Sequence, residues 1–137
     1  IWVHHRLQAL LSLGLAAPVA DEYEEALRLS RADEDSVKAA GAASLGVRAL
    51  LRLGRAAEAR AVFTREFPAG VPPKLSSTDR FMLFATQALV HEPTGAIDEA
   101  RASALEASEL AKRLLRSHGP RNAVLAEFLQ DVTRLRG

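Results

Sequence analysis

The sequence runs to 137 residues, enough for one domain with a real core, and holds no cysteine, which excludes disulfides and thiolate chemistry. Alanine and leucine dominate an apolar fraction of 48%, and β-branched residues are sparse, which argues for helices and against an extensive sheet. Eighteen basic residues against seventeen acidic ones leave a net charge of +1, a balance that gives no general support to nucleic-acid binding.

In chain order, the apolar spacing of Leu7, Leu10 and Leu11 predicts a first helix over residues 3–15, with Pro18 as its stop. Asp21 is placed to cap a second helix over 22–31, with Glu24 and Glu25 in its electropositive first turn. Asp33, Glu34 and Asp35 mark the start of a third helix over 36–53, whose inner positions are Val37, Ala40, Ala43, Val47, Leu50 and Leu51. Gly54 ends it. A fourth helix over 56–67 groups Ala59, Val62, Phe63 and Phe67.

The stretch Pro68-Ala69-Gly70-Val71-Pro72-Pro73 reads as the clearest loop in the chain. It is a candidate domain boundary, but about 65 residues on either side make small cores, so one continuous domain is expected. A fifth helix over 79–91, capped from Ser76, Ser77 or Thr78, carries Phe81, Phe84, Ala85, Ala88 and Leu89. Thr94 is placed to cap a sixth and longest helix, ending near Ser117, with Ile97, Ala100, Ala104, Ala107, Ala111 and Leu114 inside. His118-Gly119-Pro120 breaks the chain, and a seventh helix over 121–136 shows a one-sided stripe of Val124, Leu125, Phe128, Leu129, Val132 and Leu135.

Glu-Ala recurs at the opening of alternate helices: Tyr23-Glu24-Glu25-Ala26, Ala56-Ala57-Glu58-Ala59 and Ile97-Asp98-Glu99-Ala100. Spacings of 33 and 41 residues between the alanines suit an array of helix pairs, in which no unit buries its apolar face alone. The final one-sided helix suits the end of such a stack.

These residues resemble the tetratricopeptide repeat (TPR) family. Leu13-Gly14 resembles its leucine–glycine step, and Tyr23-Glu24-Glu25-Ala26-Leu27 its second-helix opening. Leu53-Gly54-Arg55-Ala56-Ala57-Glu58-Ala59, followed by Phe63, is similar to its glycine turn, small alanine and aromatic. Phe84, Ala88, Gly95, Glu99 and Ala100 stand in corresponding places of a longer third unit, like those of kinesin-light-chain arrays. Ser30 stands where a large residue is usual, and Val47 where glycine or alanine is usual. The resemblance implies an all-α, right-handed α-α superhelix of about seven antiparallel helices, in one domain over residues 1–137. Its pairs would be 3–32, 36–67 and 79–117, with 121–136 as the terminal helix.

The same resemblance implies that the first helix of each pair lines a concave groove. Gln8 and Leu11, then Ser44, Arg48 and Arg52, then Met82, Ala85 and Leu89 would face a partner peptide or helix. Arg48 and Arg52, four apart on one face, suit a carboxylate, by bidentate hydrogen bonding. The family's members that clamp a C-terminal carboxylate use lysine and asparagine where this chain has Ser44 and Arg48, so that activity is not implied.

The chemistry of sites adds little. His4, His5, His91 and His118 form no metal-ligand pattern, and no glycine-rich phosphate loop or nucleophile elbow is present. Trp2 and Tyr23 read as packing residues. No catalytic residue, cofactor or metal is therefore expected, and the chain reads as a non-enzyme. No apolar run approaches the ~20 residues of a membrane-spanning helix. The opening Ile1-Trp2-Val3-His4-His5-Arg6 lacks the form of a signal peptide and an initiator methionine, so the chain is expected to be an excised domain or processed product of a larger protein. The absence of cysteine favours the cytoplasm without excluding the periplasm. The leading expectation is a scaffold for protein–protein interaction. The alternative is a ligand- or peptide-sensing domain of a signalling or transcriptional regulator. Self-association through an uncapped end is a further expectation.

Overall fold

Equally spaced left-handed residues turn the chain back on itself. Gly14, Glu34 and Gly54 take φ values of +83°, +55° and +76°. Each closes its helix with the same pair of bonds. After the first helix, Gly14 N–H donates to the Leu11 carbonyl at 3.0 Å and Leu15 N–H to Leu10 at 2.9 Å. Glu34 and Asp35 donate to Arg31 and Ser30, and Gly54 and Arg55 to Leu51 and Leu50, at matching distances. This is the Schellman closure, which satisfies carbonyls that a helix end leaves open.

The computed structural model describes residues 2–118 together with Gln130 and Thr133. Among the described residues there are six α-helices and no strand. They are α1 (Trp2–Ser12), α2 (Ala16–Ala32), α3 (Ser36–Arg52), α4 (Ala56–Glu66), α5 (Ser77–His91) and α6 (Ile97–His118). Glu92–Thr94 forms a 3-10 turn between the last two, closed on Gly95. The expected seventh helix over 121–136 lies outside the described residues, apart from Gln130 and Thr133, which are helical. The chain divides into two compact units, Ile1–Pro68 and Ala69–Gly137, at the proline-rich loop.

Helix starts differ from expectation where proline and carboxylates were read too literally. Pro18 does not follow the first helix; it sits in the first turn of α2, where an N–H would have no intrahelical partner. Asp21 and the glutamates after it therefore fall in the body of α2, and their charges are met by side chains instead of the helix dipole. Glu22 takes an ion pair from Arg6 of α1, and Glu25 one from Arg28 at 2.5 Å. Asp35 does cap α3, accepting from Lys38 N–H at 2.9 Å, and Ser76 caps α5, accepting from Asp79 N–H at 3.2 Å. Thr94 belongs to the 3-10 turn, one residue before the left-handed Gly95.

In the first unit α3 is the central rod, packed against α1, α2 and α4. Every residue from Ala42 to Leu50 is buried. The core adds Leu7 and Leu11 from α1, Val19, Ala26 and Leu27 from α2, and Val62 and Phe63 from α4. The Phe63 ring lies 4.9 Å from that of Phe67, tilted by 47°. The hydroxyl of buried Ser30 donates to the Ala26 carbonyl of its own helix at 2.9 Å. That explains how a small polar residue occupies a place expected to hold a large one.

Gly46 lies in close contact with a neighbouring helix. A Cβ there would lie 2.3 Å from Cδ2 and 2.4 Å from Cγ of Tyr23, so only glycine lets the α2 ring lie against the α3 backbone. The small residue sought at Val47 is thus supplied one position earlier.

Among the described residues, the core of the second unit is built by α5 and α6. Phe81, Ala85 and Ala88 of α5 meet Ala104, Ala107, Leu110, Ala111 and Leu114 of α6, flanked by half-buried Met82, Phe84 and Leu89. Alanine at most contact positions brings the two rods close. Ile97 departs from the expected stripe; it opens the helix and is 44% exposed. Buried Thr86 donates to the Met82 carbonyl at 2.8 Å, as Ser30 does in the first unit.

Two substitutions check this account. Gly46→Ala drives a methyl into the Tyr23 ring and should cost about 1–3 kcal/mol in a urea melt. Glu34→Gly removes a left-handed strain of about 1–2 kcal/mol while adding about 0.5–1 kcal/mol of glycine entropy, so it should stabilise by up to about 1.5 kcal/mol in the same assay, and a destabilised variant would contradict the strain.

Candidate partner-binding surface

The first unit brings together alternate helices in two sets. On one side the C-terminal ends of α1 and α3 adjoin: Arg52, in the last turn of α3, donates through Nη1 to the Leu11 carbonyl near the end of α1. The Leu11 carbonyl already accepts from Gly14 N–H, and Arg52 supplies a second donor whose charge the helix dipole also favours. Gln8, one turn before Leu11, is half-buried and donates to the Ser12 hydroxyl at 3.1 Å. On the other side α2 meets α4 through charge. Glu66, at the end of α4, has a side chain only 8% exposed and accepts from Arg31 of α2 and from Arg65, the latter at 2.9 Å. Arg65 also reaches Glu24 of α2 at 3.2 Å.

The eight residues expected to line a groove fall in both units. Gln8, Leu11, Ser44, Arg48 and Arg52 belong to the first, and Met82, Ala85 and Leu89 to the second. They are not equally presented. Leu11 and Ala85 are wholly buried, and Ser44 and Arg48 are nearly so, Arg48 at 3% exposure. Arg52 is exposed, and Gln8, Met82 and Leu89 are half-buried. The two arginines therefore differ in kind. Arg48 is part of the interior of α3, while Arg52 carries its charge to the surface over the end of α1.

The Glu66 cluster has no simple signal in the sequence. Arg65-Glu66 reads as an ordinary helix end, and its partners lie far upstream in α2. Only an overlay of one hairpin on the next would place them together. The electrostatics follow the geometry. Burial pushes the Glu66 carboxyl up, but the hydrogen bonds from Arg31 and Arg65 outweigh it and hold the group below the usual carboxylate range. Arg65 is raised by its bonds to Glu66 and Glu24. The Tyr23 hydroxyl is pushed up to about 12, by burial first and then by neighbouring Glu24, against an opposing pull from Arg65.

Among the described residues, no group of three or more His, Asp or Glu side chains is placed to hold a metal ion. No described helix is long and apolar enough to cross a membrane. No family model, curated protein or solved structure matches the chain.

Two pH-dependent outcomes follow. Because Glu66 titrates lower when folded, its stabilisation is present above the unfolded carboxylate range near pH ~4.3 and is lost as pH falls below it. Glu66→Gln should cost about 1–3 kcal/mol at pH 7, and the gap to the parent protein should shrink in acid. Because Tyr23 titrates higher when folded, its contribution is complete below pH ~10 and is lost as pH rises through about 12. Tyr23→Phe should therefore flatten the alkaline limb of stability against pH, measured by chemical denaturation.

Proposed function

We propose that this chain is a TPR-like interaction module that holds an extended or helical segment of another polypeptide. The observation that carries the reading is the alternation in the first unit. Arg52 ties α3 to α1, while Glu66 and Arg65 tie α4 to α2. Helices joined one apart in sequence thus meet in two sets, as stacked hairpins require, and α1 and α3 together offer one continuous face. The equal interval between Gly14, Glu34 and Gly54 supports the same reading. The hairpin of α5 and α6 is a third unit of the same build. For the whole chain, the arrangement that the family resemblance implies is the right-handed superhelix of about seven helices.

On this reading Gln8 and Arg52 are the contact residues of the first unit, and Met82 and Leu89 those of α5. Leu11, Ser44, Arg48 and Ala85 support them from beneath. Apolar contact supplies most of the affinity, through a few anchors, and Arg52 selects an acidic group on the partner.

The test is a random peptide-display library panned on the whole chain, followed by titration of the enriched peptides. The peptides should carry an acidic residue, and Arg52→Gln should weaken them tenfold or more, about 1.4 kcal/mol, while loss of the bond to the Leu11 carbonyl lowers stability by about 1 kcal/mol and leaves the protein folded at the assay temperature. Failure to enrich any peptide, or equal binding by the Arg52→Gln protein, contradicts the proposal. Reversing Arg48 would not serve, because a charge reversal at 3% exposure disturbs the fold itself.

A further inference from the structure

We draw no further inference here: the strongest candidate, the exposed leucines Leu13, Leu15 and Leu53 at the end of the first unit where the α1–α2 and α3–α4 turns lie, is an unpartnered apolar face, and nothing in the structure shows what covers it.

Discussion

A helix that ends on a left-handed residue returns its chain within three residues, and the next helix then has to lie back along the one before. That constraint acts three times in the first unit, at Gly14, Glu34 and Gly54, and again at Gly95. Once each helix lies against its predecessor, the remaining freedom is which helices meet across the gap. Leucine burial supplies most of the stability, about 1.5–3 kcal/mol for each fully buried side chain such as Leu7, Leu11 or Leu27. It does not select the arrangement, because alanine and leucine stripes pack in many registers. Selection comes from directional contacts: the Tyr23 ring on the bare backbone of Gly46, the Arg52 guanidinium on the Leu11 carbonyl, and Glu66 between Arg31 and Arg65.

The surface pairs play a smaller part. Arg28 with Glu25 and Arg55 with Glu58 lie in solvent, three residues apart, and their attraction is largely screened. Glu66 differs because its carboxylate is almost out of water. Leaving it there without its arginines would strand a charge, so α4 is tied to α2 as well as packed on α3. The same logic separates Arg48 from Arg52. One is enclosed within α3's surroundings, while the other meets solvent at the end of two helices.

Much of this was legible in the residues. The bodies of α3, α4, α5 and α6 follow from apolar spacing, and Asp35, Gly54, the proline-rich loop and Ser76 mark limits of the first three. Pro18 misled because proline stops a helix from within but is well suited to its first turn, and a single sequence does not say which side of the break it stands on. Glu34 gave no sign of its left-handed backbone, since a charged residue rarely adopts positive φ; the acidic run Asp33-Glu34-Asp35 marked only the start of the next helix. Periodicity points to a helix face and not to Gly46, the position on it where the Tyr23 ring meets bare backbone. The candidate surface was less legible still. Arg48 and Arg52 share a helix face in the sequence, yet exposure depends on what packs across that face, which spacing on one helix does not record.

The central claim is that the Arg31–Glu66 ion pair ties the end of α4 to α2, and a double-mutant cycle between the two residues tests it most directly. Arg31→Ala, Glu66→Ala and the double variant would be compared by chemical denaturation at pH 7. A tie through this pair predicts a favourable coupling of about 1 kcal/mol between the two positions, whereas additivity to within about 0.3 kcal/mol would contradict it.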